Sequence, residues 1–352
     1  MKVIYSDIHA VHAPEFESDG GFVGRAYELA ERGELIRSAL AGAGGYSFLE
    51  PTDHGTEPIS AIHDAGLMTF LATAWDQFSN GRHDRRVLMP DTFHNTHLRE
   101  GMESGRVPGN VRGAAGHFAQ DAATPIMAGT YAASRAAVDV ALTASDHVLA
   151  GERYAYGLCR PPGHHAAHAM YGGYCYFNNA AIVAHDIVRR TGAKACVLDV
   201  DYHHGNGTQQ IFYQRDDVLF VSLHADPDRA YPYFSGWADE VGAGIGRGST
   251  LNLPQAPQAN DDAFLGGHGL AQALDAIAKF GPTTLVVSLG VDAFDGDPIG
   301  DLKVSTQGFG RVGSAISQLN LPTVVLQEGG YNLQHLGANV LSFLNGLQAT
   351  AG

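Results

Sequence analysis

A chain of 352 residues, 45% of them hydrophobic, is long enough to bury a sizeable core and matches one large α/β unit. Its formal net charge of -15 disfavours nucleic acid, whose phosphates need clustered Lys and Arg, and suits either a cationic substrate or plain solubility. No run approaches the roughly 18 apolar residues of a membrane span, and three cysteines without C-x-x-C spacing suit a reduced cytoplasm.

Met1-Lys2-Val3-Ile4-Tyr5 reads as a strand, too short and too polar downstream for a signal peptide. A helix is expected from Arg25 to Ala41, closed by Gly42-Ala43-Gly44-Gly45, and one or two more from Ile59 to Phe78. The stretch 79–125 has little periodicity and many Gly, His, Arg and Pro; loops of that length are usually functional or interfacial. Helical patterns return at Thr130–Ala150, Asn179–Thr191 and Asp261–Phe280, with two more beginning at Gly308 and Asn332. Strands interleave at about 155–158, 195–200, 218–224, 284–289 and 323–327. This alternation predicts an α/β fold, a doubly wound parallel sheet flanked by helices. With no repeat and no composition break, residues 1–352 read as a single domain carrying a long insertion at 79–125. Gly242-Ala243-Gly244-Ile245-Gly246-Arg247-Gly248 lacks G-x-G-x-x-G spacing and follows no predicted strand, so it reads as a flexible connection and not a phosphate loop.

Four polar clusters stand at predicted strand ends. The buried run Ala195–Leu198 leads into Asp199-Val200-Asp201-Tyr202-His203-His204-Gly205-Asn206-Gly207. In extended chain Asp201 and His203 share a face, with Asp199 close behind, which is metal-ligand spacing; the alternative is a solvated turn. Arg160-Pro161-Pro162-Gly163-His164-His165, Ser288-Leu289-Gly290-Val291-Asp292 and Gln327-Glu328-Gly329-Gly330-Tyr331 follow three further strands. Ligands of open α/β sheets bind outside the carboxyl ends of strands, so the clusters are expected to converge on one crevice. There is no G-x-S-x-G elbow, and Cys175 reads as packing behind an aromatic wall, not as a nucleophile.

Taken in order, Pro-Pro-Gly-His-His, Asp-Val-Asp-Tyr-His-His-Gly-Asn-Gly-Thr-Gln and Glu-Gly-Gly-Tyr resemble the zinc-dependent histone deacetylase superfamily, which includes bacterial acetylpolyamine amidohydrolases. Matching segments run from Val3 to the C-terminal helix. The resemblance implies the arginase/deacetylase fold, with Asp201, His203 and Asp292 as ligands of one Zn²⁺. Three ligands leave positions open for water and substrate, and the oxygen-rich set also admits Fe²⁺, Co²⁺ or Mn²⁺. It further implies His165 as general base and acid, paired with Asn206, and His164 as a charged partner paired with Asp199. A carboxylate raises an imidazole pKa, whereas a neutral amide leaves it nearer neutral. Tyr331 is implied as donor to the developing oxyanion. A structural K⁺ is implied near Asp199, Asp201, His203, Ser222 and Leu223.

Tyr174 and Tyr231, with Gly173, match the aromatic walls of a narrow tunnel that suits a linear chain ending in an acyl group. Glu17, followed by Gly20-Gly21, matches an acidic first-loop position. The segment 79–125 aligns with the insertion by which acetylpolyamine amidohydrolases dimerise and narrow their entrance, so a homodimer or higher homo-oligomer acting on a small acylated amine is implied. One departure stands out. Arg112 and Ala123 fall where those enzymes carry acids that grip a distal ammonium, and an Arg there repels a dication. Asp121 or Asp19 are the substitutes at hand, and a monocationic, neutral or anionic acylated substrate stays open. The rivals are a protein acetyl-lysine deacetylase, a binding module without catalysis, and an arginase-type binuclear manganese hydrolase. The last expects an Asp where Gly290 stands.

Overall fold

The computed structural model describes residues 1–19, 21–82, 86–102 and 106–349. Strands are β1 Lys2–Ile4, β2 Phe16–Asp19, β3 Phe22–Arg25, β4 Ser47–Leu49, β5 Tyr154–Gly157, β6 Ala195–Asp199, β7 Val218–Ala225, β8 Thr250–Gln255, β9 Thr284–Leu289 and β10 Thr323–Gln327. Helices are α1 Glu31–Ala43, α2 Glu57–Ser60, α3 Ala65–Ser79, α4 Val111–Phe118, α5 Thr130–Leu149, α6 Asn179–Thr191, α7 Asn206–Phe212, α8 Asp261–Leu265, α9 Leu270–Phe280, α10 Thr306–Ser317 and α11 Leu336–Gln348.

Eight strands form one parallel sheet in the order β4-β1-β5-β10-β9-β6-β7-β8, the doubly wound arrangement the alternation predicts. Side-chain alternation splits the strands between two cores. Cys196, Leu198, Val287 and Val325 face a layer with α1, α9, α10 and α11, while Val197, Val286, Val324 and Leu326 face α3, α5 and α6. Both faces are covered, which is why these strands read as unbroken apolar runs.

Several boundaries differ from the sequence expectation. The first helix begins at Glu31 and not Arg25, because Phe22–Arg25 pairs antiparallel with Phe16–Asp19 and the Ala26 and Tyr27 N–H groups donate to Glu15 O and the Glu17 carboxylate. The expected Asp261–Phe280 helix is two: a Cβ on Gly269 would stand 2.1 Å from Phe264 O, so the chain turns there. The last helix starts at Leu336, since the N–H groups of Tyr331 and Asn332 are taken by Asp297. Within 79–125 a helix does form, α4, capped by the Asn110 side chain on Arg112 N. The 242–248 segment is a largely exposed connection held to the fold at a few points. Ala243 N donates to Tyr213 O, and a Cβ on Gly246 would meet Arg215 N at 2.5 Å. Cys159, Cys175 and Cys196 are buried free thiols. Among the described residues no helix is long and apolar enough to cross a membrane.

Candidate active site

The loops that leave β5, β10, β9 and β6 carry His164–His165, Tyr331, Asp292 and Asp201–His203, and these four strands are consecutive in the sheet. Adjacent parallel strands end side by side, so the four polar clusters meet at one edge.

Asp201, His203 and Asp292 are buried, with one potential ligand atom each lying within 4.8 Å of the others. His203 Nδ1 stands 3.2 Å from Asp201 Oδ1 and 3.1 Å from Asp292 Oδ2. Burial and the Asp201 carboxylate push the Asp292 carboxyl up to about 7. Two buried carboxylates converging on one ring nitrogen need positive charge between them, and a divalent cation meets that need with this donor set. Glycine is required around the cluster. A Cβ on Gly290 would lie 1.9 Å from Asp201 Oδ2, and one on Gly329 would lie 2.3 Å from Asp292 Oδ2. Gly329 N donates to Asp201 Oδ2 at 2.9 Å and Tyr202 N to Asp292 Oδ1 at 2.8 Å.

The two histidines are 4.0 Å apart, ring to ring, and differ in what stands behind Nδ1. His164 donates to Asp199 Oδ2 at 2.9 Å; burial opposes its charge, but Asp199 and Asp201 outweigh burial and hold its pKa well above the usual value. His165 Nδ1 stands 2.7 Å from Oδ1 of the neutral Asn206 amide. Burial first, then the charges of His164 and His203, press it well below the usual value. Glu328 braces this loop, its Oε2 accepting from Gly163 N at 2.6 Å and His164 N at 3.2 Å.

Tyr331 is 7% exposed, and burial pushes its phenol up, so it remains a hydroxyl donor. Its N–H donates to Asp297 Oδ2 at 2.7 Å, and Gly330 before it has φ +124°, a conformation that strongly favours glycine. The Arg32 guanidinium covers the phenol ring at 4.6 Å and donates to Gly330 O and Glu328 O, both at 2.7 Å. Glu28 accepts from Arg32 and Arg160, each at 2.8 Å. Neither Arg32 nor Glu28 was singled out from the sequence; both sit before or within α1, where no local pattern points across the chain to residue 330.

His165, His203, Tyr331, Tyr174, Tyr231, Gly173 and Glu17 line one cavity of about 490 Å³. Gly173 has φ +54°, and a Cβ on it would lie 2.1 Å from His165 Cδ2. Tyr174 donates to Glu17 Oε1 at 2.9 Å, and its ring meets Tyr331 edge-on at 5.7 Å. The ring of Tyr231 meets His165 edge-on at 4.9 Å. Asp121 and Ala123, from the 79–125 segment, also line the cavity, as do Ser18 and Gly21. Asp121 is occupied: its two oxygens accept from Gly173 N, Tyr231 Oη, Ala123 N and Thr124 Oγ1. Arg112 is not among the lining residues; it is exposed on α4 and pairs with Asp91 at 3.2 Å. Gly20 and the side chain of Asp19 lie outside the described residues. Asp199 and Ser222 are partners in the β6–β7 register, with buried Leu223 next in β7.

Residues 26–347 match the family model of the histone deacetylase domain. The chain is 41% identical over 350 residues to an acetylpolyamine amidohydrolase 2 of Pseudomonas aeruginosa, covering 99% of each. It is 39% identical to an acetylpolyamine amidohydrolase of Mycoplana ramosa, again over 99% of each. The crystal structure of an acetylpolyamine aminohydrolase from Burkholderia pseudomallei superposes with a TM-score of 0.92 at 38% identity, over 99% of both chains.

Proposed function

The chain belongs to the histone deacetylase family, and from that premise we propose that it is a metal-dependent amidohydrolase cleaving the acyl–nitrogen bond of a small N-acylated amine of the acetylpolyamine kind. The observation that carries the reading is the meeting of His165, His203 and Tyr331 on one cavity, with Asp201 and Asp292 directly behind His203.

In this reading Asp201, His203 and Asp292 hold one Zn²⁺, or Fe²⁺ or Co²⁺ in its place. When bound, such an ion supplies Lewis acidity to the acyl carbonyl and makes water more acidic. His165, neutral and backed by Asn206, takes the proton of the attacking water and returns it to the leaving amine. His164, kept cationic by Asp199, balances the negative charge that builds up beside it. Tyr331 donates its hydroxyl to the carbonyl oxygen as that oxygen becomes an oxyanion. Tyr174 and Tyr231 flank the acyl chain, and Glu17 sets a carboxylate on the wall.

A single ion is favoured over an arginase-type pair because Gly290 has no room for the bridging carboxylate beside Asp201. A structural K⁺ near Asp199, Asp201, His203, Ser222 and Leu223 belongs to the same reading. His224 Nε2 is engaged by Gly236 O, so Ser222 donates to His224 Nδ1 and keeps its oxygen lone pairs for a cation. We further read residues 1–352 as one catalytic domain whose 79–125 insertion forms a homodimer, supported by exposed Phe93, Met102 and Val107 there. A cytoplasmic setting is supported by the three buried thiols, and a role away from nucleic acid by the net charge of -15.

The test is removal and return of the metal. Chelator-stripped enzyme should release no acetate from N-acetylputrescine, and activity should return at one Zn²⁺ per chain. Full turnover by metal-free protein, or a requirement for two ions, would overturn the reading.

A further inference from the structure

Behind His165 the hydrogen bonds do not stop at Asn206. His165 Nδ1 meets Asn206 Oδ1 at 2.7 Å, and Asn206 Nδ2 donates to Gln120 Oε1 at 2.9 Å. Gln120 Nε2 donates to Tyr231 Oη at 2.5 Å, and Tyr231 donates to Asp121 Oδ2 at 2.7 Å. Every link has one direction, and the far end decides it. Both Asp121 oxygens face donors: Gly173 N at 2.6 Å, Ala123 N at 2.9 Å and Thr124 Oγ1 at 2.9 Å, besides the phenol.

A carboxylate so surrounded only accepts. The single proton of Tyr231 must therefore point at Asp121, and its oxygen can only accept from Gln120. The Gln120 amide must then present its oxygen to Asn206, and Asn206 its oxygen to His165. Reversing the chain would set the Tyr231 oxygen and Asp121 Oδ2 against each other at 2.7 Å with no proton between them.

We propose that Gln120, Tyr231 and Asp121 are positioning residues that fix the tautomer of His165, keeping its proton on Nδ1 and leaving Nε2 as the free lone pair. The inference rests on the reading of His165 as the general base, for which a bare Nε2 is the working form. It gives the insertion segment, which carries Gln120 and Asp121, a second task beside shaping the entrance. The wall that holds the acyl chain and the polarity of the base are one network, because Tyr231 belongs to both.

Tyr231→Phe tests this with least disturbance. The ring stays against His165, and Asp121 keeps its other three donors. Gln120 loses its acceptor, so either orientation of the two amides now leaves one group unpaired and the polarity is no longer enforced. On N-acetylputrescine, kcat should fall at least about tenfold with KM within about twofold. The ¹⁵N spectrum of histidine-labelled, zinc-loaded enzyme reads the tautomer directly, with His165 assigned from the missing signals of His165→Gln. Wild type should show His165 neutral and protonated on Nδ1, and Tyr231→Phe should show Nε2–H or a mixture. Gln120→Met cuts the chain one link nearer the base and should do the same. A His165 that stays on Nδ1–H in both variants overturns the proposal, whatever kcat does. A changed tautomer with unchanged kcat leaves the chain standing and removes His165 from the role of base.

Discussion

His164 and His165 are neighbours in sequence and in space, and burial drives both toward the neutral form. They diverge because one donates to a carboxylate and the other to an amide. Asn206→Asp should erase that difference. A carboxylate beside His165 raises its pKa, so the base stays protonated to higher pH, and the acidic limb of the kcat/KM profile should move up by about one to two pH units. An unchanged profile would contradict the pairing. Tyr331→Phe removes a donor aimed at developing charge and should cost about 10²–10³-fold in kcat while metal content stays the same. Near-normal turnover would refute that role. The histidines and the phenol stand in short motifs at strand ends that the sequence shows, whereas the pairing of His164 with Asp199 and of His165 with Asn206 was implied only by the resemblance to the family. Gln120 and Arg32 were not legible, because their bonds cross 86 and 298 residues and no local pattern announces them.

At the level of elements, the strand ends form the site by closeness of backbone. The loop after β10 runs against both carboxylates of the cluster, and Gly329 is the point of contact. Gly329→Ala should push Asp201 and Asp292 apart, lowering metal affinity by about 10–100-fold with the far-ultraviolet circular dichroism unchanged. Tight metal binding in that variant, measured by competition with a chromogenic chelator, would show that the loop has room to yield. Strands β6, β9 and β10 and helix α6 could be read from the sequence because buried runs with clean caps leave few alternatives. The edge strand β8 could not. It contains Asn252 and Pro254, and an edge position tolerates a residue without an N–H. The β2–β3 hairpin was hidden in the same way, as its pairing competes with a helical pattern that starts at Arg25.

For the whole molecule, a net charge of -15 suits a cationic amine, while the buried Glu17 on the cavity wall already accepts from Tyr174 Oη and Tyr27 N. Arg112, which the sequence sets against a dication, is turned to the surface with Asp91 and is not among the residues that line the cavity. Ser18 and Gly21 of the hairpin segment and Asp121–Ala123 of the insertion all line the cavity, so the width of its mouth is what separates a small amine from a peptide as substrate. The most direct test of these points together is kcat/KM of the zinc-loaded enzyme on acetylputrescine, acetylcadaverine, acetylspermidine, a neutral alkyl acetamide and an acetyl-lysine peptide. The account predicts that the small cationic amides lead the series by at least about tenfold. A lead for the neutral amide or the peptide would contradict it.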